Sequence, residues 1–143
     1  ITYSSNGIWV AVGAGGTLLT SPDGSTWTAV ASGTSADLNA VSVQIVTSYT
    51  FLAAGNGGTI LRSTDNGVTW TTQSSGTTAD LYAVSPASSQ LMTAGSGGTV
   101  LTSPDGITWT RRSTGTTATL YSVISGLAQY VAVGQGGISL VSQ

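Results

Sequence analysis

Residues 55–84 read "GNGGTILRSTDNGVTWTTQSSGTTADLYAV". The same pattern begins at Gly13 as "GAGGTLLTSPDGSTWTAVASGTSADLNAV" and at Gly95 as "GSGGTVLTSPDGITWTRRSTGTTATLYSV". A fourth copy opens at Gly134 as "GQGGISLVSQ". The starts are 42, 40 and 39 residues apart, and the opening "ITYSSNGIWVAVG" matches the close of a unit. The chain therefore divides into units 13–54, 55–94 and 95–133, flanked by partial units 1–12 and 134–143, within one domain over 1–143. Self-similarity at a fixed period marks a repeat architecture, in which each unit buries its apolar faces against its neighbours.

Within a unit, polar and apolar residues alternate, and Val, Ile, Thr, Tyr and Trp abound, so the pattern reads as strand. Four short strands are expected per unit. They lie around "LNAVSV", "LYAVS" and "LYSVI"; then "IWVAVG", "TFLAAG", "LMTAG" and "YVAVG"; then "GTLLTS", "GTILRS", "GTVLTS" and "GISLVS"; and last "TWTAV", "TWTTQ" and "TWTRR". No segment carries the apolar stripe of an amphipathic helix. Four strands in about 40 residues describe a blade, so the expected fold is an all-β propeller of about three and a half repeats.

One phrase recurs between the third and fourth strands. It comprises Ser21, Asp23, Gly24 and Trp27; Ser63, Asp65, Gly67 and Trp70; and Ser103, Asp105, Gly106 and Trp109. A tight reversal wants an acceptor for its backbone N–H groups and a residue tolerant of positive φ, which Asp and Gly supply. The Trp is expected to cover apolar surface between blades and to be largely buried. A metal role is disfavoured, because each phrase offers one carboxylate where calcium takes several converging oxygens. The "GxGG" phrase precedes a strand and not a helix, so it reads as a hairpin turn and not as a phosphate cradle.

Composition removes whole classes of chemistry. Only 6% of the 143 residues are charged, with Lys, Glu, His and Cys all absent. An ordinary zinc site, a thiol or Ser–His nucleophile and a disulfide framework are thereby excluded. Arg62, Arg111 and Arg112 are the only cations and the net charge is −2, so nucleic-acid binding is not expected. No apolar run is long enough for a membrane-spanning helix, and no cofactor motif is present.

Ser63 to Trp70 resembles the Asp box of bacterial-neuraminidase-type repeats, and Ser21 to Trp27 and Ser103 to Trp109 resemble a version one residue shorter. The longer phrase from "GGTILRS" to "LYAV" is similar to the repeats of photosystem II assembly-factor propellers and of propellers in secreted bacterial and phage structural proteins. The resemblance implies the propeller fold, but the superfold hosts many functions. Sialidases of this kind use an arginine triad, a Tyr nucleophile and Glu. This chain has no Glu, and two of its three Arg are adjacent, so they point to opposite faces of a strand. The basic patch that the resemblance implies for an assembly factor is also missing. The Thr-rich, Lys-free style looks more like the phage and secreted members, which implies an extracellular or virion-surface location.

Propeller topology puts the "GxGG" turns and the blade-to-blade linkers on one face. The Asp phrases and the variable turns near Tyr3, Tyr49, Ser88 and Gln129 fall on the other. Asp37 and Asp80 then stand at equivalent places, with Thr119 in the third copy, followed by Asn39, Tyr82 and Tyr121 on the innermost strand. Such a ring of planar polar groups and aromatic faces suits a sugar; the plainer expectation is that the Asp residues cap turns and the Tyr rings pack between blades. The expected role is a non-enzymatic structural or adhesive module, with a dedicated lectin as alternative and a sialidase-like hydrolase or photosystem assembly factor more remote. With terminal blades otherwise uncovered, the expected partners are further copies of the chain or the remainder of a longer propeller, and a surface glycan.

Overall fold

The computed structural model describes residues 1–45, 48–86, 90–125 and 129–142. Among the described residues the chain forms fifteen strands and four three-residue 3-10 turns. β1 (Thr2–Tyr3), β2 (Trp9–Val12), β3 (Leu18–Ser21) and β4 (Thr28–Ala29) form sheet I. β5 (Leu38–Ile45), β6 (Tyr49–Gly55), β7 (Ile60–Ser63) and β8 (Thr71–Gln73) form sheet II. β9 (Leu81–Pro86), β10 (Leu91–Gly95), β11 (Val100–Ser103) and β12 (Thr110–Arg112) form sheet III, and β13 (Leu120–Ser125), β14 (Tyr130–Gly134) and β15 (Ser139–Val141) form the three-stranded sheet IV. Every sheet is an antiparallel meander in sequence order. The fold is all-β, four consecutive propeller-type sheets, as the sequence pattern predicts.

Sheet and repeat are out of phase. Sheet II takes β5 and β6 from the unit that opens at Gly13, and β7 and β8 from the next. A sheet thus binds two units together along its middle hydrogen-bond ladder. The "GxGG" segments are the 3-10 turns Ala14–Gly16, Asn56–Gly58, Ser96–Gly98 and Gln135–Gly137, each joining the second and third strands of its sheet as the expected hairpin turn.

The core consists of three seams between sheets. Val10, Val12 and Leu18 of sheet I meet Leu38, Phe51, Ala53 and Leu61 of sheet II. Leu52, Ala54 and Ile60 of sheet II meet Leu81, Leu91 and Leu101 of sheet III. Met92, Ala94 and Val100 of sheet III meet Leu120 and Ala132 of sheet IV. Alternation explains the pattern: one side of each strand faces the previous sheet and the other side faces the next, so apolar residues are needed on both. A fully buried Leu of this kind contributes about 2 kcal/mol through removal of its surface from water. The first strands β1, β5, β9 and β13 pack in succession, which puts them on the inner side of the arc.

The side chains of Trp27, Trp70 and Trp109 are only half-buried, not largely buried. Each lies one residue before the outer strand, where a single flanking sheet can cover it. Trp70 packs on the seam between sheets I and II, with its ring 6.4 Å from that of Phe51, and Trp109 packs on the seam between sheets II and III.

Candidate functional site

The Asp phrases form turns of one design. The buried Ser21, Ser63 and Ser103 hydroxyls each donate to the neighbouring carboxylate of Asp23, Asp65 or Asp105, at 2.8–3.0 Å. The same hydroxyls accept the N–H groups of Gly24, Gly67 and Gly106. Asp23 accepts from the Ser25 and Thr26 N–H groups, Asp105 from those of Ile107 and Thr108. The extra residue of the middle turn is absorbed by Asn66 at φ 61°, and Asp65 therefore reaches Thr69, whose N–H donates at 2.9 Å. Backbone N–H donation holds the Asp23 carboxyl down to about 2; the Thr69 hydroxyl and N–H do the same for Asp65, and Asp105 is lowered for the reason that applies to Asp23.

The turns of sheets II and III also dock on the sheet before them. A Cβ placed on Gly67 would lie 3.2 Å from the Thr20 methyl and 3.5 Å from Val10, both of sheet I. One on Gly106 would meet Leu91 of its own sheet at 3.2 Å and Leu52 and Arg62 of sheet II at 3.3 and 3.4 Å. Gly24 has no preceding sheet and is exposed, beside Trp9 of its own sheet. Trp27 and Trp70 return their indole N–H to the Gly24 and Gly67 carbonyls, whereas the buried indole nitrogen of Trp109 has no hydrogen-bond partner. Among the described residues, no three acidic, His or Cys groups come together as a metal site would need.

On the opposite face, the linker aspartates fasten neighbouring sheets. Asp37 accepts the Gly15 N–H at 2.8 Å, and Asp80 accepts the Gly57 N–H at 2.9 Å. Each aspartate lies at the entry to one sheet and holds the "GxGG" turn of the sheet before it. The Asn39 amide donates to Asn56 at 2.8 Å and to the Leu81 carbonyl of the next sheet at 3.0 Å.

Asn39, Tyr82 and Tyr121 share a feature hidden from the sequence. Each is the extra residue of a β-bulge on the inner strand, where pairing skips from Leu38 to Ala40, Leu81 to Ala83 and Leu120 to Ser122. A bulge re-aims a side chain, here on the inner strand beside the "GxGG" turns. The Tyr82 and Tyr121 rings stand 5.7 Å apart at 47°, with Tyr121 exposed. Burial, then the nearby Asp80 charge, raises the Tyr82 hydroxyl. The structure thus brings Asn39, Asp80, Tyr82 and Tyr121 to one rim, with Asp37 one step round it. The variable turns near Tyr3 and Tyr49 lie on the other face, where Ser5 meets the Tyr49 hydroxyl at 2.9 Å and Asn6 donates to Asn66 at 2.7 Å. Ser88 lies outside the described residues.

The arginines do not converge. Arg62 is half-buried, with its side-chain carbons near Gly106 and its Nε lacking a partner. Arg112 donates from Nε to the Thr102 hydroxyl at 2.8 Å, and Arg111 lies beside it on the outer strand, exposed.

Four antiparallel sheets in chain order, inner strands packed in succession and the outer turns of sheets II and III seated on the sheet before them, define a β-propeller arc. Among solved structures the chain is similar to YCF48 from Cyanidioschyzon merolae, with a TM-score of 0.72 and 22% identity, covering 97% of this chain and 48% of that one. At that identity the likeness is one of fold, and the chain spans about half the length of that protein. No protein-family model matches the chain, and no curated protein matches it.

Proposed function

We propose that the chain is a non-enzymatic interaction module of the Asp-box propeller type, part of a virion or secreted assembly, that binds glycan on the inner rim. The observation that carries this reading is the bulged series Asn39, Tyr82 and Tyr121. It presents an exposed aromatic face beside amide and carboxylate groups, the combination that matches the apolar face and hydroxyl edge of a pyranose. Composition supports the absence of catalysis. Acid–base work would rest on five aspartates, and three of those hold turns, with their protons lost far below neutral pH.

A second reading, an assembly factor that docks protein, is favoured by the repeat resemblance and by the fold likeness to YCF48. Against it stands the scarcity of charge, with three arginines and no lysine.

A glycan array probed with the chain and with Tyr121→Ala separates these readings. The rim reading expects a defined set of glycans and at least a tenfold loss in the variant. Absence of any glycan signal, or equal binding by the variant, would overturn it. Release of the fluorophore from a methylumbelliferyl sialoside would overturn the non-enzymatic assignment.

A further inference from the structure

Sheet I and sheet IV present the two halves of a seam that the molecule builds three times internally. Register equates Ser85, Ala94 and Thr102 of sheet III with Ile124, Val133 and Val141 of sheet IV. The first three are covered by the next sheet and are 7%, 0% and 3% exposed. Their counterparts have no sheet over them, are larger and more apolar, and are 65%, 44% and 54% exposed. At the other end, Tyr3, Trp9, Leu19 and Trp27 of sheet I stand where Val43, Phe51, Leu61 and Trp70 of sheet II seal the seam. Tyr3 is exposed and packs its ring 4.6 Å from Trp9, and Trp9, Leu19 and Trp27 are half-buried where Phe51 and Leu61 are fully buried. None of these positions on either face is charged.

We infer that a second copy of this chain docks its sheet I against sheet IV of the first, head to tail, as each internal sheet docks on its predecessor. The occupant is set by the internal seams. A surface shaped like the trailing side of sheet III is covered, in this same molecule, by the leading side of a sheet of the same repeat. Complementarity also gives a residue pairing. Ser85 and Ser125 face each other across the seam between sheets III and IV, with their hydroxyls 3.5 Å apart. Ile124 is the counterpart of Ser85, and Tyr3 that of Ser125. Ile124 of one copy therefore meets Tyr3 of the next. Such a contact is heterologous, and it ends in a ring when the rotation closes. Two copies of four sheets make eight, within the usual range of propeller blades. The inference uses a surface separate from the glycan rim, so either can fail alone.

Sedimentation velocity of the 143-residue chain at about 20 μM tests it, with Ile124→Lys and Tyr3→Glu as variants. Both positions are exposed in the single chain, and circular dichroism would establish that both variants fold. The expected result is a species of two 14.2 kDa chains for the parent, single chains for each variant alone, and restored association on mixing the two. Each substitution should raise the dissociation constant at least 30-fold. A parent that stays a single chain overturns the inference. So does a dimer that survives both variants, or variants that fail to reassociate when mixed.

Discussion

Gly58 and Gly137 occupy the same place in equivalent "GxGG" turns, both at φ 74°. A side chain in the left-handed region costs about 1–2 kcal/mol, and that cost is common to both sites. The surroundings differ. A Cβ on Gly58 would lie 2.0 Å from the Thr77 carbonyl oxygen and 2.8 Å from the Ser75 hydroxyl, whereas one on Gly137 meets nothing within 4 Å. The Thr77 carbonyl belongs to the linker between sheets II and III, so no side-chain rotation relieves the overlap. The linker must move, and with it the Ser75–Thr77 hydrogen bonds and the Asp80 acceptor of the Gly57 N–H. Two or three lost bonds at about 1 kcal/mol each, added to the backbone term, put Gly58→Ala at about 4 kcal/mol and Gly137→Ala at about 1–2 kcal/mol. Thermal unfolding followed by Trp fluorescence reads the difference. At roughly 3 °C per kcal/mol for a domain of this size, the melting temperature should fall by about 12 °C in the first variant and about 3–6 °C in the second. Equal shifts in the two variants would refute the argument that the linker is seated on the turn.

Trp70→Ala should cost about 3 kcal/mol, at the low end for a Trp because the ring is half-buried, and Trp27→Ala distinctly less in the single chain, because no preceding sheet lies against it; urea titration of each measures this. The Asp65 carboxyl sits at about 2 in the folded chain against an ordinary 3.8, so its stabilisation is complete above about pH 4 and is lost as pH falls towards 2. The melting temperature of the parent should therefore drop over that window, and the drop should be smaller in Asp65→Asn, as calorimetry at several pH values would reveal. Calcium at millimolar concentration should leave the melting temperature of both proteins within a degree, since the carboxylate oxygens are engaged by Ser63 and Thr69; a rise of several degrees would assign the turn to metal binding.

The strands were legible because their alternation repeats: "GTILRS" and "GTVLTS" end on β7 and β11, and "LMTAG" coincides with β10. The Ser-x-Asp turns were legible through their own chemistry, since Asp and Gly at that spacing have few other uses. The bulges at Asn39, Tyr82 and Tyr121 were not. A bulge is a property of pairing between two strands, and "LNAV", "LYAV" and "LYSV" look like plain alternation until the partner's register is known. The half-exposure of Trp27, Trp70 and Trp109 was missed for a related reason. Composition says that a Trp needs cover, but only the topology says that a turn leading into an outer strand has cover on one side. The Arg62 stem lies near Gly106 of the next sheet, a contact 44 residues away that no local pattern announces.

The central claim is that the Ser-x-Asp turns of sheets II and III are seated on the preceding sheet, so that the repeat packs as consecutive blades. Nuclear Overhauser contacts from the α-protons of the turn glycines test it most directly. The account predicts cross-peaks from Gly67 to the Val10 and Thr20 methyls, and from Gly106 to the Leu52 methyls, each across a sheet boundary. Cross-peaks from both glycines confined to residues of their own sheets would contradict it.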